Sequence, residues 1–364
     1  MSTRIFRSRF FFFWSVVLLC VSAIRVQAQQ PVPDSGQHYW WKGGYPRRPK
    51  QNPEARVLPL IRVVGNKLVN ALGDTILFRG VSIADPDKIS AQGHWNRLLF
   101  EHVRKMGAMI VRIPVHPISW HERGADRYLP LLDSAVDWCT GLGMYVDIDW
   151  HSIGNLEMEL FQAPMYNTTK RETYTFWRTM ARHFRNNNTV AFFELFNEPT
   201  SYRGQLGTVS WTAWKTINEN IIHLIRAFDT QTIPLVAGFD WAYDLTPLRE
   251  APINASGIAY VTHPYPNKRT PPWEPKWEED FGFAASNYPV IATEIGFAAR
   301  PGEPAGPDDY GDHIISYLES RGIGWIAWVY DPDWGPPLIK SWDSFALTGA
   351  GEFFKKAMQE KNRK

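Results

Sequence analysis

The sequence predicts an α/β chain folded as a closed (β/α)8 (TIM) barrel with a short N-terminal hairpin. Three observations lead there. Eight short apolar runs recur between residues 76 and 328, amphipathic helical segments separate them, and no glycine-rich phosphate loop follows the first run. Strands that alternate with helices pair in parallel, and eight such units fit a closed barrel better than an open doubly wound sheet.

In chain order, Arg4, Arg7 and Arg9 precede an apolar run from Phe10 to Ile24, followed by Val26-Gln27-Ala28. This is the layout of a cleavable signal peptide over residues 1–28. The run is shorter than the roughly 20 residues a membrane-spanning helix needs, so a secreted or periplasmic protein, free of the membrane after cleavage, is expected. Cys20 lacks the small residue that precedes a lipid-attachment cysteine, which disfavours an anchored form. Cleavage removes four arginines and no acids, leaving 35 basic against 37 acidic residues and turning the formal charge from +2 to −2. That balance excludes a basic nucleic-acid-binding chain. Only Cys139 then remains, so no intramolecular disulfide can form, and an ordinary hydrophobic core must hold the protein together.

Residues 29–55 are rich in Pro, Gly and Gln without an apolar period and read as a leader, Trp40-Trp41 being its exception. The catalytic domain is expected over 56–364. It opens with Ile61 to Val64, the turn Gly65-Asn66 and Lys67 to Val69, a hairpin closing one end of the barrel. The eight runs follow: Ile76 to Val81, Met109 to Ile113, Met144 to Ile148, Val190 to Phe196, Ile233 to Ala237, Ile258 to Val261, Val290 to Ala292 and Ile323 to Trp328. Between them, Leu131, Leu132, Ala135, Val136 and Cys139 recur at helical spacing, as do Ile217, Ile221, Leu224, Ile225 and Phe228. Phe353 to Met358 is a last helix, and no appended module or repeat is visible.

A barrel of this kind carries its active site where the strands end. Those positions hold Arg112, Asp149-Trp150-His151, Asn197-Glu198, Asp240-Trp241, His263 with Tyr265, Glu294 and Trp328 on the second to eighth strands in turn. Two carboxylates on facing strands are what glycoside hydrolysis requires, one to protonate the leaving oxygen and one to attack the anomeric carbon or activate water. The 17 tryptophans of the 364 residues point the same way, since indole faces stack on sugar rings, although most Trp residues in any protein are packing. Trp138 and Trp177 lie on helical faces and read as packing; Trp150, Trp241, Trp273, Trp277 and Trp334 are read as rim residues able to stack on sugars.

The run Phe193-Glu194-Leu195-Phe196-Asn197-Glu198-Pro199 resembles the Asn-Glu-Pro signature on the fourth strand of glycoside hydrolase family 5, the cellulase family of the retaining barrel clan. Thr293-Glu294-Ile295-Gly296-Phe297 looks like its nucleophile motif. Arg112, His151, His263, Tyr265 and Trp328 stand at further positions of that pattern, over roughly Arg79 to Tyr330. The resemblance implies that Glu198 is the acid/base and Glu294 the nucleophile. It further implies that Asn197 donates to the sugar 2-hydroxyl, that His151 and His263 make polar contacts to the same sugar, and that Trp328 forms its floor. Arg112 and Tyr265 would keep Glu294 ionised. The expected partner is a polysaccharide, a β-glucan or related plant glycan, with endo-β-1,4-glucanase the leading activity. β-Mannanase, xyloglucanase, transglycosylase and a non-catalytic carbohydrate-binding barrel are the alternatives. No cofactor and no metal is expected, because no His pair has the i, i+4 spacing of common zinc motifs. His116 and His121 read as loop residues, Asp149 and Glu194 as structural carboxylates of undecided direction, and the oligomeric state defaults to monomer.

Overall fold

The computed structural model describes residues 57–299 and 306–362, so the signal peptide and the leader lie outside the described residues. Eight parallel strands close on themselves in sequence order: β1 (Arg79–Ile83), β2 (Ile110–Val115), β3 (Tyr145–Trp150), β4 (Val190–Glu194), β5 (Ile233–Ala237), β6 (Ala259–Val261), β7 (Val290–Ile295) and β8 (Gly324–Tyr330), with β8 returning to β1. Each predicted run supplies one strand. All eight are buried on almost every residue, which is why they read as continuous apolar runs rather than alternating ones.

The first run starts later as a strand than predicted. Its leading residues serve the hairpin instead: the Ile76 N–H donates to Leu68 O, and Thr75 bridges Val69. The hairpin itself pairs Arg62–Val64 with Lys67–Val69 in antiparallel register. It sits at the closed end of the barrel, where Leu58, Ile61 and Leu68 join an inner core of Phe78, Ile110, Phe192, Leu235, Val261 and Ile326. Phe78 meets Tyr145 and Phe192 edge-on, with centroids 5.4 and 5.1 Å apart, and Tyr145 donates its hydroxyl to Pro59 O at 2.8 Å.

A second core fills the space between the strands and the surrounding helices. Helix Ala125–Leu142 turns Leu129, Leu132, Val136 and Cys139 inward. Helix Trp211–Arg226 does the same with Ile217, Ile221 and Ile225, and Ser210 caps it by accepting from Ala213 N. The last helix, Gly349–Lys361, starts on the Thr348 cap.

At the open end, the chain beyond β4 makes a last bond to β5, Leu195 N to Leu235 O, and then turns away from that strand. Asn197 N donates to Trp150 O and Glu198 N to Ser152 O, and Glu198–Pro199 joins a small sheet with Ile153–Asn155 and Leu160–Phe161. Pro199 has no N–H to extend a ladder. This outward step lifts Asn197 and Glu198 to the rim.

Candidate active site

Arg112 is the centre of the site. It is fully buried on β2, an unfavourable place for a charge unless every donor finds an acceptor. Its Nε and Nη2 fork onto Glu194 (2.7 and 3.0 Å), Nη1 donates to Glu294 Oε1 (2.7 Å), and Nη2 also reaches Asn197 Oδ1 (2.7 Å) and Asp149 Oδ2 (2.9 Å). Burial opposes the guanidinium charge, but Asp149, Glu194 and Glu294 outweigh it and raise the pKa further. Burial likewise works against Glu194, yet Arg112 holds that carboxyl down at about 2.

Glu294 ends β7 and takes a second bond from the Tyr265 hydroxyl (2.8 Å), whose own pKa is raised by burial and by Glu294. Glu198 faces it across the barrel mouth. A chain of bonds runs from Glu198 into the barrel: His263 Nδ1 lies 3.0 Å from Glu198 Oε1, His263 Nε2 lies 2.9 Å from Thr293 Oγ1, and that hydroxyl donates to Glu194 Oε1 at 3.1 Å. Because the Thr293 proton goes to Glu194, Thr293 accepts from a protonated His263 Nε2.

The charges separate in a useful way. Burial disfavours a charged His263, but Glu294, Glu194 and Glu198 lift it to about 9. Glu198 is raised, first by burial and then by Glu294, with the His263 bond pulling the other way. Two cations, Arg112 and His263, thus stand against the Glu194 carboxylate, and Glu198, whose Oε1 lies against His263 Nδ1, is pushed toward its neutral form.

Burial, with His116 and Arg112 nearby, lowers His151 well below its ordinary value. The ring is thus neutral and donates from Nδ1 to Asp149 Oδ2 at 2.6 Å. It stacks on Trp328 (5.4 Å, 7°), which stacks in turn on Trp334 (6.0 Å, 17°), a continuous flat wall beside the carboxylates. Asn197 Nδ2 is buried with no partner among the described residues, a donor free for a ligand.

Three of the expected sugar platforms are misplaced. Trp150 is fully buried, stacked on Phe176 at 4.1 Å with its Nε1 donating to Thr173 Oγ1. Asp149 faces inward to Arg112, so strand alternation turns Trp150 outward under the helix Lys170–His183. Trp273 and Trp277, four residues apart at the start of helix Glu274–Asp280, stack on each other at 5.9 Å and pack against Tyr310. Trp241 does lie on the rim, half-buried, with Nε1 donating to Gln162 Oε1 (2.9 Å) and Lys268 Nζ 4.6 Å from its ring centre. It belongs to a run of left-handed residues, Asp240 to Ala242, entered through Gly238, where a Cβ would lie 1.9 Å from Asp244 O.

Other residues reach the site without having been singled out for it. His116, read as a loop residue, is buried with Nδ1 3.2 Å from Asp85 and its ring 4.6 Å from His151. Asp85 at the exit of β1 was the available signal, since its carboxylate takes the His116 N–H and fixes the loop. Tyr166 stacks on His116, and its pKa is pushed to about 12 by burial, then by Glu198 and Glu294. His121, also read as a loop residue, lies instead in the helix Pro117–Arg123, exposed on its solvent face.

Glu198, His263 and Glu294 place one ligand atom each within 4.8 Å of one another, which is close enough to hold a cation. Both oxygens of Glu294 and both ring nitrogens of His263 are already engaged by Arg112, Tyr265, Thr293 and Glu198. Two carboxylates in unequal electrostatic surroundings suit acid and nucleophile roles better than ligation.

Known proteins share this fold. The native form of β-glucanase SdGluc5_26A from Saccharophagus degradans superposes with a TM-score of 0.84 at 44% identity, covering 89% of this chain and 99% of that one. The same enzyme in complex with cellotetraose gives 0.83 over 88% of this chain and 99% of that one, also at 44% identity. Endoglucanase E-5 of Thermobifida fusca is 24% identical over 82% of this chain, and an endoglucanase of Clostridium saccharobutylicum 25% over 83%. The chain spans 63% and 65% of the lengths of those two relatives. Residues 69–333, from the end of the hairpin past the wall of Trp328, match the sequence pattern of Cellulase (glycosyl hydrolase family 5), and with the barrel and its paired carboxylates in place the chain belongs to that family.

Proposed function

We propose that the protein is an exported endo-β-1,4-glucanase that hydrolyses a β-glucan by double displacement with retention of anomeric configuration. One observation carries the reading: an oxygen of Glu198 and one of Glu294 lie within 4.8 Å across the barrel mouth. A closest approach of that order suits a retaining pair, whose carboxyl groups stand about 5–5.5 Å apart, better than an inverting pair at roughly 6.5–9.5 Å.

In the first step a Glu294 oxygen attacks the anomeric carbon, the bond to the leaving oxygen breaks, and the Glu198 proton passes to that oxygen. Arg112 and Tyr265 aim the carboxylate, and the Asn197 amide, with its oxygen held by Arg112, donates to the sugar 2-hydroxyl, a contact that strengthens in the transition state. Forming the ester consumes the negative charge of Glu294, one of the causes that kept Glu198 protonated. Glu198 then stays ionised beside charged His263 and serves as base. Water attacks the anomeric carbon, its proton goes to Glu198, and the carbon–Glu294 bond breaks.

For the substrate, the 44% identical β-glucanase crystallised with cellotetraose supports a β-glucan. The stacked Trp328 and Trp334 and the half-buried rim residue Trp241 suit an extended glucan chain better than a single sugar. Export rests on the signal-like N-terminus. Assaying carboxymethyl-cellulose, lichenan, glucomannan and xyloglucan tests the choice: activity on the glucans is expected, and activity confined to mannans would sink it.

A further inference from the structure

Beneath the catalytic layer lies a carboxyl group that the double displacement does not use. Asp147 stands two residues before Asp149 on β3, so both side chains share the inward face. It is fully buried, and in the strand ladders it lies opposite Arg112 on β2 and Phe192 on β4. Neither of its oxygens has a well-aligned hydrogen-bond donor among the described residues, the Glu194 N–H being the backbone group that acts on it. The charged groups facing it are Glu194 on β4, Arg112 on β2 and Asp149 on its own strand. The guanidinium bonds go to Glu194, Glu294, Asn197 and Asp149, and none to Asp147.

An ionised carboxylate so placed would be a buried anion without a well-aligned donor, beside the Glu194 anion, which native proteins avoid by keeping a proton. Glu194 offers the complementary vacancy. Glu194 Oε1 takes Arg112 Nη2, Thr293 Oγ1 and, at 3.5 Å, His263 Nε2, while Oε2 takes Arg112 Nε and keeps a second lone-pair direction open. We infer that Asp147 is a protonated carboxylic acid that donates to Glu194 from below and thereby fixes the chain Glu194–Thr293–His263–Glu198 that orients the acid/base. Burial and the neighbouring Glu194 push the Asp147 carboxyl up, while Arg112 holds Glu194 at about 2, so the proton shared by the pair resides on Asp147. Asp147 is a positioning residue: it acts through Glu194 and never meets the glycan.

The inference rests on the reading of Glu198 as acid/base, and its test includes a readout independent of activity. Difference infrared spectroscopy of wild type minus D147N at pH 7 is expected to show the carbonyl stretch of one protonated carboxyl group. D147L, which removes the donor, is expected to lower kcat on the glucan by about tenfold, the equivalent of one hydrogen bond to a charged group. KM should hold, and the alkaline limb of the pH profile should move with the acid/base. D147N, whose amide donates without ionising, is expected to restore most of kcat. Asp147 binds its proton more tightly folded than unfolded, so wild-type stability falls as pH rises above the unfolded value, and the Tm advantage of D147N should widen from pH 4 to 8. If D147L does not fold, the infrared band and the Tm series of D147N decide alone. Absence of the protonated-carboxyl band, or a folded D147L with wild-type kcat and pH profile, overturns the inference. A wild-type protein inactive on every β-glycan overturns the proposed function instead and leaves the band to be judged.

Discussion

Replacing Arg112 by lysine preserves the charge and removes the fork, and so separates what the charge does from what the geometry does. The guanidinium makes five contacts of 3.0 Å or less, to Glu194 twice, Glu294, Asn197 and Asp149. A lysine ammonium is a point donor on a flexible stem and cannot reproduce the bidentate pair. Losing two hydrogen bonds between charged groups, each about 1.5–3 kcal/mol, costs about 3–6 kcal/mol of folding stability. Set against a typical total of about 5–15 kcal/mol, this is a large fraction. At roughly 2–4 °C per kcal/mol the Tm should fall by on the order of 10 °C. Catalysis suffers separately. Glu294 loses the donor at 2.7 Å that aims it, and Asn197 loses the bond that orients its amide, which together should lower kcat/KM by about 10²–10³, comparable to deleting a transition-state donor. Thermal unfolding and steady-state kinetics on the best glucan measure both. An R112K enzyme within a few degrees of wild-type Tm and within threefold of its kcat/KM would refute the reasoning.

His263→Gln removes the cation that lowers the Glu198 pKa, so kcat should fall while the alkaline limb of kcat/KM moves to higher pH; a limb moving to lower pH would contradict the assignment. The same residue makes stability pH-dependent. Its folded value of about 9 exceeds an unfolded value of about 6.5, so its contribution is complete below the unfolded value and is lost as pH rises through 9. A Tm series from pH 6 to 10 should therefore decline more steeply in wild type than in H263Q. Trp150→Ala should cost about 3–5 kcal/mol by opening a cavity against Phe176 and leave KM of the folded fraction unchanged, whereas Trp328→Ala should lower Tm as well but also raise KM or lower kcat of the folded fraction. Interchanged effects would show that the two indoles have been assigned the wrong way round.

The barrel was legible because strands buried on both faces leave unbroken apolar runs, and because a parallel barrel collects its polar residues at one end of those runs. That placed Arg112, Asn197, Glu198, His263, Tyr265, Glu294 and Trp328 around one opening before any coordinate. Side-chain direction was less accessible. The β3–β4 register slips between Val146 and Asp147, so parity counted along one strand does not carry to the next, and the inward turn of Asp149 and Glu194 could not be deduced. Trp150 follows from Asp149 once that direction is known. Trp273 and Trp277 were misread because a Pro- and Trp-rich stretch looks like loop, while two residues four apart on a helix share one buried face. The left-handed turn at Asp240 to Ala242 contains no glycine and left no mark in the sequence.

The proposed double displacement requires a covalent bond between Glu294 and the sugar. Incubating the enzyme with an activated 2-deoxy-2-fluoro-cellobioside, which slows hydrolysis of the glycosyl ester, and mapping the labelled peptide by mass spectrometry tests this directly. The predicted result is one fluorocellobiosyl adduct per protein, carried on Glu294 and released on adding an acceptor. An adduct on Glu198, or turnover with inversion and no adduct, would contradict it.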